Sequence, residues 1–205
     1  MKSFRLFLIF AIAVAVVALG ATASAQSFTW KAYVSGKTTT TVLPGDLLKV
    51  NYFANANTAG APDGTVRISN PGSPTGNLCA QIYVFDPYQE MSECCACLVT
   101  PDGLRTLSVN TDITSNPLTG VVLQTGDVSI VAGYTANNIC NPLNSVVSPT
   151  IRAWGTHIQN STFAITETEY SDRQLGTWNE NLLIECYAIQ LDGSGHGVCS
   201  CGTGD

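Results

Sequence analysis

Basic side chains are scarce in this chain. Nine Lys and Arg stand against fifteen Asp and Glu over 205 residues, and the basic ones nowhere cluster. The counter-ion release that drives nucleic-acid binding therefore has nothing to act on, and anionic membrane surfaces are disfavoured for the same reason. Histidine is nearly absent: His157 and His196 are the only two. No H-E-x-x-H pair, phosphate loop, dinucleotide fingerprint or EF-hand loop occurs. No internal repeat is apparent. Only one long apolar run exists, "LFLIFAIAVAVVALG" from Leu6 to Gly20.

That run follows Lys2 and Arg5 and precedes "ASA" at 23–25. A basic start, a short apolar stretch and small residues at the cleavage positions make a secretory signal peptide, with the cut expected near Ala25-Gln26. A spanning helix needs ~20 apolar residues, so membrane insertion after cleavage is not expected. The mature chain, 26–205, keeps seven basic and fifteen acidic residues, a net charge of −8. Its length suits a single domain that buries a core of its own. Thr, Ser, Asn and Gly, rather than charges, keep it soluble. The expected location is extracellular or periplasmic.

Positions 26–170 read as short strands between turn signals. "SFTWKAYV" (27–34), "TTTTVLPGDLLKVNYFA" (38–54, a strand after the turn Pro44-Gly45-Asp46), "GTVRISNPG" (64–72), "CAQIYVFD" (79–86), "SECCACLV" (92–99), "LRTLSVNTD" (104–112), "VVLQTGDVSIVAGY" (121–134) and "TIRAWGTHIQNSTFAITETEY" (150–170) are rich in β-branched and aromatic residues. Pro-Asp-Gly at 62–64 and 101–103, Asn116-Pro117 and Asn141-Pro142 break them. Period-2 alternation over seven to nine short strands predicts an antiparallel β-sandwich. Residues 171–191 differ. Leu175, Trp178, Leu182, Cys186 and Ile189 form one helical stripe, with Ser171 and Gln174 spaced as a capping box. An amphipathic C-terminal helix is expected to dock on the sandwich with Cys186 facing it. The Gly-rich tail, 192–205, is expected to be tied down by its cysteines.

All eight cysteines lie in the mature chain: Cys79, Cys94, Cys95, Cys97, Cys140, Cys186, Cys199 and Cys201. In an oxidising compartment an even number pairs. On a strand, Cys95 and Cys97 share one face and Cys94 takes the other. An extended Cys199-Ser200-Cys201 also presents two thiols on one face. Two ladder-like bridges between these segments follow, with Cys94 reaching Cys79, Cys140 or Cys186. Two other readings compete. Cys94, Cys97, Cys199 and Cys201 could hold a tetrahedral metal. The C-x-x-C of Cys94 and Cys97 could be a redox pair, although Glu90 and Glu93 would raise a thiol pKa there. The staple reading is preferred, with no cofactor.

Catalytic constellations are not expected. Ser194 and His196 stand two residues apart without the G-x-S-x-G setting. Glu167 and Glu169 share a strand face, which is more often a solvated face than a glycosidase pair. Trp30, Trp154 and Trp178 keep phase with apolar neighbours and are expected in the core. Trp30, Trp154 and Trp178, together with Tyr33, Tyr52, Tyr83 and Tyr88, are the candidates for an exposed sugar-binding platform, core packing being preferred for the three tryptophans. Asn160-Ser161-Thr162 is a glycosylation sequon.

The stretch "VLPGDLLKVNYFA" resembles the opening hairpin of bacterial immunoglobulin-like extracellular modules. "VRISNPG", "NLCAQIYVFDPYQEMSECCACLVTPDGLRTLSVNTDITSNPLTG", "RAWGTHIQ" and "GSGHGVCSCG" together resemble a group of uncharacterised secreted, cysteine-rich bacterial proteins. The resemblance implies a compartment and an immunoglobulin-like sandwich, but no activity. The expected function is a non-enzymatic secreted or cell-surface protein with a structural or adhesive role. The alternatives are a carbohydrate- or protein-binding module and a thiolate metal-binding protein. The expected partner is an extracellular protein or glycan. Self-association through "SFTWKAYV" on a neighbour's exposed strand edge is a further expectation.

Overall fold

A computed structural model describes residues 47–72, 76–135, 138–140, 146–148, 150–175 and 178–204. The signal segment 1–25, the expected strand 27–34 with Trp30 and Tyr33, and the turn 44–46 lie outside the described residues. The described residues belong to one compact unit within Leu43–Asp205. Among them the chain forms β1 (Leu48–Phe53), β2 (Thr65–Ser69), β3 (Leu78–Phe85), β4 (Met91–Val99) and β5 (Leu104–Ser108). A π-helical turn (Val109–Ile113) follows, then β6 (Gly126–Tyr134), β7 (Val146–Val147), β8 (Arg152–Gln159), β9 (Ala164–Glu169), β10 (Ser171–Arg173), α1 (Trp178–Asp192) and β11 (Thr203–Gly204).

Two antiparallel sheets result. The first runs β10-β1-β6-β3-β4, with β7 also on β6; the second runs β11-β5-β2-β8-β9. Alternation sets the faces. In β2, Val66 and Ile68 are buried while Thr65, Arg67 and Ser69 are not. The core takes Val66, Ile68, Leu107 and Ala153 from the second sheet, and Ala80, Ile82, Val84, Val128 and Ile130 from the first. Central strand β3 is buried on both faces. Its alternate residue Tyr83 joins a second cluster with Leu175, Leu182, Cys186 and Ile189. A strand covered on both sides has no reason to alternate polar and apolar residues, and "LCAQIYVF" does not.

The helix ends as expected at Asp192 but departs from expectation at its start and on its outer face. Residues 171–173 are extended, not a helix start: Ser171, Asp172 and Arg173 pair with Val50, Lys49 and Leu48 of β1. Lys49 is buried and forms an ion pair with Asp172. A buried ammonium needs a carboxylate more than a helix needs a capping box. The stripe itself is as expected for Leu182, Cys186 and Ile189, all buried; the side chain of Trp178 lies outside the described residues. Yet Ile184 and Leu191 are exposed, so the helix is not cleanly amphipathic. It is held by a narrow stripe and by a covalent bond. Two strand expectations are also shortened. Residues 109–112 leave the strand for the π-helical turn, and 121–125 precede β6 as irregular backbone.

Candidate functional site

The cysteine cluster on β4 organises one edge of the molecule. Cys95 and Cys97 face the core between the sheets, and Cys94 faces α1. Cys95 bonds Cys199 and Cys97 bonds Cys201, with Cα–Cα distances of 5.2 and 5.4 Å. Cys94 bonds Cys186 on the opposite face at 5.7 Å, and Cys79 bonds Cys140 at 5.2 Å. The two parallel rungs are those that strand alternation predicts, and Cys186 is the partner of Cys94. Among the described residues no thiol is free. Cys94 lies across the strand from Cys97, so Cys94, Cys97, Cys199 and Cys201 do not converge on one point, and the Cys94/Cys97 redox pair is not formed. Among the described residues no three His, Cys, Asp or Glu side chains gather as metal ligands.

Hydrogen bonds complete the edge. The Cys94 amide donates to the Gly197 carbonyl (2.9 Å) and the Cys199 amide to the Cys94 carbonyl (3.3 Å). Further on, Thr203 and Gly204 pair with Thr106 and Arg105 of β5. The tail thus leaves the edge of one sheet and joins the edge of the other. Gly197 has φ +79°, and a Cβ there would collide with the Ile189 side chain; only glycine lets the tail pass this close under the helix.

Glu93 sits at the centre of this junction. It is fully buried on β4, and its Oε1 accepts from the Asn116 amide at 2.9 Å. Oε2 is buried with no partner. Asn116 in turn donates through Nδ2 to the Gly195 and Val198 carbonyls (2.9 and 3.2 Å) and accepts from the Gly197 amide (2.7 Å). Desolvation pushes the Glu93 carboxyl up to about 7, against the pull of the Asn116 amide. Glu93 escaped the sequence reading except as a neighbouring charge. The signal was present: alternation places it on the same inward face as Cys95 and Cys97.

The other candidates do not converge. Glu167 and Glu169 lie exposed on β9, and each is bridged to an arginine: Glu167 to Arg67, Glu169 to Arg152 at 3.1 Å. Ser194 and His196 are exposed in the turn after α1. His157 points inward and is buried, its Nε2 2.6 Å from Thr168 Oγ1, with the Tyr52 ring 4.1 Å away centre to centre. Burial lowers its pKa, against an opposing pull from the Tyr52 backbone.

The aromatics divide. Tyr83 is core, and its hydroxyl donates to Gln81 (2.9 Å). Tyr52 and Tyr88 are exposed, and Tyr88 heads a groove of about 670 Å³ with Leu118, Val121 and Val122. Trp154, expected in the core, belongs to neither buried cluster. Ala153 is the β8 residue that enters the core, which turns its neighbour Trp154 outward, half-buried.

Comparison of the chain with protein-family models, with curated proteins and with solved structures finds no match. What the protein does must therefore be argued from its own geometry.

Proposed function

We propose that the chain is an exported, non-enzymatic module with a structural or adhesive role, immunoglobulin-like in character, from which residues 1–25 are removed. The observation that carries this reading is the laced edge. Three disulfides from one strand fix both the helix and the tail. Such cross-links act against unfolding where no reductant reaches. A protein that must keep its shape outside the cell has this need. Two antiparallel sheets about one core support the immunoglobulin-like comparison, with β1 and β2 passing to opposite sheets. Among the described residues no helix is long and apolar enough to cross a membrane. The carboxylates best spaced for acid–base chemistry, Glu167 and Glu169, are neutralised by arginines on an open face and do not face each other across a cleft.

The test is retention under flow. Beads coated with the exported, oxidised protein are passed over surfaces coated with polysaccharides and, separately, with matrix proteins. Retention on at least one surface, lost after the bridges are reduced, is the expected result. Retention no better than albumin-coated beads on every surface, with the protein folded by circular dichroism, would sink the adhesive reading.

A further inference from the structure

The outer face of the second sheet places Trp154 between two ion pairs. In cross-strand register, Arg67 of β2 lies on one side of Trp154 and Glu169 of β9 on the other. Arg67 reaches over β8 to Glu167, which is registered with Thr156. Arg152, two residues before Trp154 on the same strand face, reaches Glu169. One bridge therefore crosses on the Thr156 side of the indole and the other on the Arg152 side. The Thr156 hydroxyl is itself held, 2.8 Å from that of Thr65.

We infer that this face binds a neutral polysaccharide, the indole of Trp154 taking the apolar face of a sugar ring and the flanking Arg–Glu pairs its hydroxyls. The inference rests on the adhesive reading above and names its ligand class. A half-buried tryptophan combines apolar area with low entropy cost on binding. Donors and acceptors fixed by one another on regular strands are already ordered before a ligand arrives. Charge decides the class. The two arginines are offset by the two glutamates, so the face has no spare cation for an acidic polymer. The mature chain as a whole carries −8 and repels one. The centre of a protein–protein interface is depleted in charged groups, whereas here four of them ring the tryptophan.

The experiment is affinity electrophoresis of the exported full chain in gels containing hydroxyethyl cellulose, dextran or galactomannan, with polygalacturonate alongside. Retardation by at least one neutral polymer and none by polygalacturonate is expected. Trp154→Ala should weaken it at least about tenfold, as a buried tryptophan anchor does. Tyr88→Ala, in the turn between β3 and β4 of the other sheet, should leave it unchanged. Because Trp154→Ala could disturb the sheet, the double variant Arg67→Ala/Glu167→Ala is run too. It keeps the net charge, alters only exposed groups, and should weaken retardation several-fold. Undiminished retardation in a folded Trp154→Ala or in the double variant overturns the inference, as does equal retardation by polygalacturonate. If no neutral polymer retards the protein while coated beads still hold to matrix protein, the glycan inference fails and the adhesive reading stands. If neither occurs, both fail.

Discussion

Glu93 couples the fold to pH, being a buried carboxyl with one oxygen unpartnered. Its carboxyl is an acid with a folded pKa of about 7 and an ordinary value of 4.5. The unfolded chain releases this proton first, so the contribution to stability is whole below about pH 4.5 and is lost as pH rises through 7. The loss across that window is roughly 3 kcal/mol. Glu93→Gln keeps an acceptor for the Asn116 amide and removes the titration. Denaturant curves of the two proteins at pH 4.5, 6 and 7.5 should show their stability difference shifting by that amount in favour of the variant. A constant difference would mean that Glu93 does not titrate in a buried site. At this scale the sequence is readable where pattern alone decides. The faces of Cys94, Cys95 and Cys97 follow from alternation. Lys49 and Trp154 do not follow: a buried lysine and an outward tryptophan both run against composition. Lys49 is held by Asp172 opposite it, and Trp154 is turned outward because its neighbour Ala153 enters the core.

Among the elements, the tail and its two rungs behave as a unit. With Cys97–Cys201 intact, opening Cys95–Cys199 frees almost no additional chain, because the remaining bridge lies two residues away. Replacing either pair by alanine should cost only about 1 kcal/mol, against the 2–4 typical of a lone bridge. Replacing both frees the tail beyond Cys186, a loop of roughly 15 residues worth about 3 kcal/mol. Urea unfolding of the three variants checks this, and additive losses would show that the rungs act independently. Gly197→Ala tests the same junction without touching a cysteine. A left-handed backbone and the clash with Ile189 should together cost upwards of about 1 kcal/mol and expose the tail to protease. The strand–strand elements were legible because half-buried strands alternate. The start of α1 was not: Ser171, Asp172 and Gln174 spell a helix cap locally, and pairing with β1, more than a hundred residues earlier, overrides it.

For the molecule as a whole, mass is the decisive reading. The exported protein should begin at Gln26 and weigh about 8 Da less than its reduced form, with no thiol open to alkylation under denaturing conditions. Retained N-terminal residues would remove the export assignment, and free thiols would remove the staples. Two sheets about one core could be anticipated from strand count and alternation, but their strand order could not, since it depends on pairings between distant segments. The separation of the bridged residues has a further consequence for biosynthesis. The partners of Cys94, Cys95 and Cys97 lie 92 to 104 residues later in the chain. During synthesis and export, strand β4 therefore waits with three neighbouring thiols while Cys79, only 15 residues upstream of Cys94, is the nearest available partner. Premature pairing with Cys79 would have to be undone by thiol exchange, so the yield of correctly bridged protein should depend on a disulfide isomerase. A chain cut short before Cys186 would carry those three thiols on β4 with none of their native partners.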